Sequence, residues 1–243
     1  MNLSDQQSDA FVVEGVSKVF GGFRALTSVS LEVSHGEVRA IIGPNGAGKT
    51  TFVNIVSGVF RPTSGRIALG GVDITSFSPQ RRARLGLART FQITSLFRGM
   101  TVAEHMELAV RGADTSGRAR AELLELMGLA DLAHREVNTL SHGDQRVLEM
   151  AMALVLGPTF LLLDEPTAGM SVAETDRMIR LIGDRLRGKI GVIIIEHDMN
   201  VVTQTSDIVT VLAAGAVAAS GPPATVLSDP MVKELYLGNA ASH

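Results

Sequence analysis

The sequence feature that most constrains this chain is the eight-residue stretch from Gly43 to Thr50. It has the pattern G-x-x-x-x-G-K-T, the phosphate-binding P-loop motif. Residues 38–42 before it are mostly apolar and predict a short strand, and residues 50–57 after it predict the start of a helix. A glycine-rich loop at a helix N-terminus favours phosphate, because its backbone N–H groups and the helix dipole both attract anions. The alternative is a glycine-rich turn without a ligand, and Gly-Lys-Thr at the required spacing disfavours it.

The motif therefore predicts a site for a nucleoside triphosphate. Lys49 supplies a positive charge for the outer phosphates, and the hydroxyl of Thr50 is suited to hold Mg²⁺. The residues expected to contact the nucleotide are Gly43, Pro44, Asn45, Gly46, Ala47, Gly48, Lys49, Thr50 and Thr51. The loop does not indicate what the energy of the nucleotide is used for.

Composition narrows the class of protein. A chain of 243 residues with 45% hydrophobic residues is long enough for one large domain, or for a core with a subdomain. The net charge of −3 gives no sign of the excess positive charge that is typical of nucleic-acid-binding proteins. The absence of cysteine excludes disulfides and cysteine-ligated metals, and it suits a reducing compartment.

No segment of the sequence has the pattern of a signal peptide or a membrane span. Residues 1–10 are polar, and we expect them to form a disordered tail rather than a secretory signal. The longest apolar run, residues 150–163, is too short to span a bilayer and is interrupted by Gly157 and Pro158. The protein is expected to be soluble, or attached to a membrane only through a partner.

Strands alternate with helices along most of the chain, which predicts an α/β fold with a mainly parallel sheet. Residues 11–92 and 158–243 are expected to form the core, and residues 93–157 a helical insertion. Thr101 and Ser171 each begin a capping box that predicts a helix start, the second helix extending to about residue 187. Ser78 is expected to cap a helix whose three arginines, at positions 81, 82 and 84, form a solvated face rather than a phosphate site.

Polar residues follow several predicted strands. Asp164 and Glu165 come directly after an apolar strand, Gln92 follows a strand over residues 87–91, and His197 lies just beyond a strand that ends at residue 195. In parallel sheets, ligands bind at the carboxyl ends of strands. Beside a P-loop, the first carboxylate suits Mg²⁺ and the second is placed to polarise an attacking water. Each of these residues also has an ordinary alternative as an exposed loop residue or a structural histidine.

A second helix start resembles an anion site. Residues 140–145 read Leu-Ser-His-Gly-Asp-Gln, with Ser141 near the N-cap and Gly143 allowing close backbone approach. A capped helix that happens to contain glycine is the alternative. A single chain has no obvious need for two such anion-binding ends.

Taken in order, these motifs resemble the nucleotide-binding subunits of ABC transporters, over about residues 11–238. The resemblance implies a P-loop NTPase (RecA-like) core with an antiparallel β subdomain and a helical signature subdomain. It also implies that two subunits enclose two ATP molecules, so that Ser141, Gly143 and Asp144 contact the nucleotide of a partner. Glu165 is then the general base, and His197 holds the γ-phosphate. Thr50, Gln92 and Asp164 ligate Mg²⁺, and Phe20 is a candidate for stacking on adenine, its alternative being a core residue at a strand end.

Finer features resemble the ATPases of branched-chain amino acid importers, with urea and short-amide importers very similar. These features are residues 89–92, 168–170, 195–199 and 236–238. Three departures stand out. His142 and Asp144 occupy positions where the broad family often has glycine and glutamine. Ser171 stands where an aspartate is usual. The loop of residues 111–117 is short compared with the insertion that many branched-chain importers carry there.

The resemblance implies that the chain is a peripheral ATPase on the cytoplasmic face of the inner membrane. The expected partners are integral-membrane permease subunits, a second ATPase subunit that is a related paralogue or, in isolation, another copy, and indirectly a solute-binding protein. Two other functions remain open: an ATPase of the lipopolysaccharide-export type, and a soluble ATP switch acting on DNA or ribosomes. The single cassette, the lack of heptads and the net charge of −3 disfavour the switch.

Overall fold

The computed structural model describes residues 10–90, 96–110 and 117–237. Ten strands in this part of the chain form two sheets. The strands are β1 (Ala10–Phe20), β2 (Phe23–Ser34), β3 (Val38–Ile42), β4 (Ser64–Leu69), β5 (Val72–Asp73), β6 (Leu87–Arg89), β7 (Phe160–Asp164), β8 (Gly191–Ile195), β9 (Ile208–Ala213) and β10 (Ala216–Gly221).

The helices lie between these strands and after them. They are α1 (Lys49–Val56), α2 (Pro79–Arg84), α3 (Val102–Ala109), α4 (Gly117–Leu126), α5 (His142–Leu154), α6 (Val172–Arg180), α7 (Met199–Thr205), α8 (Pro223–Ser228) and α9 (Pro230–Leu237). A π-helical segment, Leu181–Leu186, continues α6, and two 3₁₀ turns, Ala130–Leu132 and Val137–Thr139, precede α5. None of the helices in the described part of the chain has the length and apolar character needed to cross a membrane.

The six-stranded sheet confirms the predicted α/β fold. Its strand order is β10-β9-β3-β8-β7-β6, and all neighbouring pairs are parallel except β10 with β9. The carboxyl ends of β3, β7 and β8 therefore lie at one edge of the sheet. The P-loop, Asp164-Glu165 and His197 are brought together there because each follows one of these strands.

Alternate residues of the central strands face opposite sides of this sheet, and each side has its own core. Phe160 and Leu162 pack in a cluster with α1 and the antiparallel sheet, whereas Leu161 and Leu163 pack with the helical segment. Both faces are covered, which explains why residues 160–163 of β7 and 191–195 of β8 are apolar without interruption.

The second sheet is antiparallel, with the order β2-β1-β4-β5. It covers one face of the core through residues such as Phe11, Leu26 and Ile67. Its first strand begins at Ala10, which is buried, so the strand starts one residue inside the predicted tail.

The predicted helical insertion corresponds to α3, α4 and α5 within residues 93–157. Both predicted capping boxes are present, at Thr101 with Glu104 and at Ser171 with Glu174. Buried residues of α3 and α5, including Met106 and Leu148, pack in one cluster with β7, β8 and α6. The insertion is thus packed against the face of the main sheet opposite to α1.

Several local predictions were wrong. The predicted helix to about residue 187 is α-helical only to Arg180, after which it becomes π-helical. The strand predicted over residues 87–91 ends at Arg89. Helix α8, which begins at a Pro-Pro pair, was not predicted.

The solvated arginine face predicted for α2 is also wrong at Arg82. That side chain is 1% exposed and donates hydrogen bonds to the carbonyls of Ile55, Val56, Thr75 and Phe77 at 2.6–3.2 Å. Burial lowers the pKa of Arg82 to about 10. Arg82 therefore closes the C-terminal end of α1, whose last carbonyls lack partners within the helix.

Candidate functional site

The P-loop has the backbone conformation that its glycines permit. Gly48 is the N-cap of α1 and lies in the left-handed region with a φ of 99°. A Cβ atom there would lie 2.8 Å from the carbonyl oxygen of Ala25. A Cβ on Gly43 would meet the carbonyl oxygen of Leu212 at 2.2 Å. These positions admit only glycine, and Gly48 provides no side-chain cap, so the first N–H groups of α1 are left for an anion.

Lys49, the first residue of α1, is held against this loop. Its Nζ donates to the carbonyl oxygen of Gly43 at 2.5 Å and to that of Pro44 at 3.0 Å. The residue is buried, and burial lowers its pKa, while the negative charge of Glu165 opposes that shift. The ammonium group thus lies at the floor of the loop with a carboxylate facing it.

A cleft of about 320 Å³ opens in front of the loop. It is lined by predicted nucleotide-binding residues together with the carboxylates and the histidine from β7 and β8. The lining residues are Phe23, Ala25, Asn45, Gly46, Ala47, Gly48, Lys49, Thr50, Thr51, Asp164, Glu165, Ile195 and His197. Gly43 and Pro44 contribute through the carbonyls that hold Lys49. The structure therefore brings together residues that lie more than a hundred positions apart in sequence.

The aromatic residue in this lining is Phe23, which is 69% exposed at the start of β2. Phe20 does not line the cleft, nor is it a core residue, because it is 40% exposed. Its ring contacts that of Phe60 edge-on at 5.5 Å, and Nζ of Lys18 lies 4.9 Å from its centroid. Sequence reasoning missed Phe23, although its position directly after the Gly-Gly turn was visible.

Asp164 ends β7 and is almost fully buried. Burial raises the pKa of its carboxyl group, and the hydrogen bond from Arg89 opposes that rise. Nη2 of Arg89 donates to Asp164 Oδ2 at 3.0 Å. A buried carboxylate and the Thr50 hydroxyl in one cleft are oxygen donors of the kind that Mg²⁺ prefers, so the donor set fits this ion.

Glu165 and His197 contact each other. His197 Nε2 lies 3.2 Å from Glu165 Oε1. The backbone of Glu165 has a φ of 50°, an uncommon conformation for a residue with a side chain, and its N–H donates to the carbonyl of Ile195. The main-chain bond thus fixes the backbone of Glu165, and its carboxylate contacts the histidine.

Glu196 is a site residue that the sequence did not reveal. It is buried between two loops, and its carboxylate accepts bonds from the Thr167 N–H at 3.1 Å, the Thr167 hydroxyl at 2.5 Å and the His197 N–H at 3.0 Å. It therefore ties the loop after Glu165 to the loop that carries His197. An acidic residue directly after a buried strand was the available signal.

The second predicted anion site lies away from this cleft, since none of Ser141, Gly143 and Asp144 lines it. Ser141 is the N-cap of α5, and its Oγ accepts the N–H of Asp144 at 3.1 Å. The N–H of Gly143 donates to Glu174 Oε1 at 2.9 Å, and Asp144 pairs with Arg177 at 2.5 Å. Both partners, the acceptor Glu174 and the donor Arg177, come from α6, so within one chain this helix end is tied to the next helix.

Glu174 accepts bonds from two helix starts. Hydrogen bonds from Ser171, from the Gly143 N–H and from Ser141 lower its pKa to about 2. The predicted magnesium ligand Gln92 lies outside the described residues.

Known proteins resemble this chain over most of its length. A family model described as "ABC transporter" matches residues 26–168. The "High-affinity branched-chain amino acid transport ATP-binding protein LivG" of Salmonella typhimurium is 39% identical, over 94% of this chain and 97% of the relative. The BraF protein of Pseudomonas aeruginosa, whose name has the same description, is 38% identical with the same coverage.

The fold agrees with solved structures. The ADP conformation of MJ1267, an ATP-binding cassette of an ABC transporter, has a TM-score of 0.87 and 30% identity, over 95% of this chain and 99% of that one. The chain is thus an ATP-binding and ATP-hydrolysing subunit of the ABC transporter family.

Proposed function

We propose that this chain energises an importer of branched-chain or other hydrophobic amino acids. The proposal is supported by the likeness to LivG and BraF, which extends over nearly the whole of all three chains. The solute itself does not contact an ATPase subunit in this proposal. It is bound by permease subunits and a solute-binding protein, and the chain acts at the cytoplasmic face of the inner membrane.

The chemistry is hydrolysis of the γ-phosphate of ATP by in-line attack of water. Glu165 accepts the proton of that water, and His197, held 3.2 Å from Glu165, contacts the γ-phosphate. Lys49 and the N–H groups at the start of α1 bind the phosphates. Mg²⁺, held by Thr50, Asp164 and Gln92, would neutralise phosphate charge in this site.

The complete site is proposed to need a second ATPase subunit. One observation carries this part: the cleft contains the P-loop and the carboxylates, but Ser141 and Gly143 lie elsewhere on the chain. A partner's Ser141 and Gly143 would close the cleft over the γ-phosphate. Within a single chain the Gly143 N–H is bound by Glu174, so phosphate must replace that carboxylate on closure. In the cell the second subunit is proposed to be a related paralogue.

The decisive experiment is isolation of the tagged chain from native membranes, with identification of the proteins that accompany it. Importer permeases and a solute-binding protein for hydrophobic amino acids are the expected partners. Recovery with urea or short-amide importer subunits would change the proposed solute, and recovery with a bridge of export factors would overturn import. A Lys49→Ala variant serves in parallel: it should bind ATP at least about tenfold more weakly, because charge-assisted hydrogen bonds to phosphate are lost.

A further inference from the structure

Arg89 adjoins the nucleotide cleft without lining it. It ends β6, the edge strand next to β7, and its side chain is 15% exposed. On its outer side it borders an apolar groove of about 250 Å³. Its guanidinium group faces inward to Asp164 and to the C-terminal end of α1.

The guanidinium links two parts of the site. Nη1 donates to Asn54 Oδ1 at 3.0 Å and to Ser57 Oγ at 2.9 Å, and Nη2 donates to Asp164 Oδ2 at 3.0 Å. Asn54 lies in α1 and Ser57 is its C-cap, while the other end of the same helix carries Lys49 and Thr50. A cation at a helix C-terminus is also favoured by the helix dipole.

We propose that Arg89 is a positioning residue that orients Asp164 toward Mg²⁺. It takes one carboxylate oxygen, Oδ2, and leaves Oδ1 for the metal or a metal-bound water. Because the same guanidinium donates to Asn54 of α1 and to Ser57 at its C-cap, the Asp164 carboxylate is fixed relative to Thr50, the other proposed Mg²⁺ ligand. The inference rests on the proposed function, since it assumes that Asp164 and Thr50 hold Mg²⁺ there.

The geometry argues for orientation rather than for stability alone. The rigid, planar guanidinium group of Arg89 donates at once to the acceptors at the C-terminal end of α1 and to Asp164. A lysine ammonium group lacks this geometry. Among the residues that the structure describes, the buried Nε of Arg89 has no hydrogen-bond partner, so its donors there are not all satisfied. Arg89→Met removes one partner of a buried ion pair and leaves the Asp164 carboxylate unpaired, so some loss of stability is expected. Positioning is therefore measured in the folded fraction of Arg89→Met and, beside it, in a variant that keeps the ion pair.

The test is binding of a fluorescent ATP analogue over a series of free Mg²⁺ concentrations, with a second titration in EDTA. In Arg89→Met, the Mg²⁺ concentration at half-maximal effect should rise about tenfold or more, the usual cost of losing a group that orients a metal ligand. Affinity in EDTA should stay that of the wild type, because Lys49 and the P-loop are untouched. Arg89→Lys should fail to restore the wild-type midpoint, which a requirement for charge alone would allow.

The matched control is Arg66→Met. Arg66 forms an arginine–aspartate pair with Asp73 at 3.0 Å, but on the exposed antiparallel sheet. Its Mg²⁺ midpoint should equal that of the wild type. The Asn54→Ala, Ser57→Ala double variant is measured beside Arg89→Met, and replaces it if Arg89→Met does not fold, because the double variant keeps the ion pair and removes the anchor on α1; its midpoint should also rise.

An unchanged or lower Mg²⁺ midpoint in the folded Arg89 variants would overturn the proposal, a lower one showing that arginine competes with the metal. If the Asn54→Ala, Ser57→Ala double variant is used instead, an unchanged Mg²⁺ midpoint in that variant would also overturn the proposal. Wild-type binding without any Mg²⁺ dependence would instead overturn the metal site of the proposed function, and this inference with it.

Discussion

At the scale of single residues, Arg82 is the clearest case of a polar side chain that serves the fold. Its guanidinium satisfies four carbonyls around the end of α1 while the whole side chain is buried. Arg82→Ala should lower the free energy of unfolding by roughly 2–4 kcal/mol, because buried carbonyls lose their donors and a cavity forms. Urea unfolding measures the loss. Arg84→Ala, an exposed residue of the same helix, should change it by less than about 0.5 kcal/mol, and equal effects would contradict this role for Arg82.

The burial of Arg82 was not predictable from the local pattern. Three arginines on a short helix indicate a solvated face, and nothing nearby in sequence shows that the end of α1 requires donors. The P-loop and the strand-end carboxylates were predictable, since their function depends on local spacing and on the strand before each of them. Contacts between distant segments, such as that of Glu196 with Thr167, leave no periodic trace.

Glu165 gives a residue-scale prediction about chemistry. Glu165→Gln keeps the size of the side chain but removes its basicity, so turnover should fall about 10²–10⁴-fold while ATP binding persists. Steady-state phosphate release and nucleotide titration measure the two effects. The variant should also dimerise with ATP and stall in that state. Wild-type turnover in this variant would exclude Glu165 as the general base.

At the scale of elements, the contact between α5 and α6 depends on the charge of Glu174. Its pKa in the folded protein is about 2, below the ordinary value of 4.5. A depressed carboxyl pKa stabilises the folded state above the unfolded pKa, and this contribution is lost as the pH falls from about 4.5 toward 2. The stability difference between wild type and Glu174→Gln should therefore be largest at neutral pH and shrink across that window.

Glu104→Gln is the matched control for this prediction. Glu104 completes the capping box of α3 with Thr101, and the hydrogen bonds from Thr101 lower its pKa. Within the described ranges it makes no comparable bond to a second helix start. Glu174→Gln should lose more stability at pH 7 than Glu104→Gln, as measured by denaturant midpoints. Equal losses would show that the Gly143 bond contributes nothing beyond the cap.

Element boundaries show where sequence prediction fails. Both capping boxes were predicted because they are local side-chain motifs with fixed spacing. The π-helical segment after Arg180 has no comparable motif. It packs through Ile182 and Leu186 in the same cluster as β7 and β8, so tertiary packing sets its course.

At the scale of the whole molecule, the separation of the cleft from Ser141 and Gly143 makes a prediction about two copies of the chain. Lys49→Ala disables the P-loop, and Ser141→Arg blocks the helix start proposed to act on a partner. Each variant alone should be nearly inactive. A mixed dimer, however, contains one intact site, formed by the P-loop of the Ser141→Arg copy and the α5 start of the Lys49→Ala copy.

An equal mixture of these two variants should therefore regain activity. Random pairing in a symmetric dimer makes half of the dimers mixed, each with one of two sites intact, so phosphate release should reach about one quarter of the wild-type rate. Circular dichroism melts of each variant control for folding. The Lys49→Ala variant alone, at the total protein concentration of the mixture, controls for residual activity. A mixture no more active than its components would mean that the isolated chain does not share its sites between copies. Recovery near one quarter would place the Ser141 end of one copy over the P-loop of the other, because no exchange of segments within a chain can repair either variant.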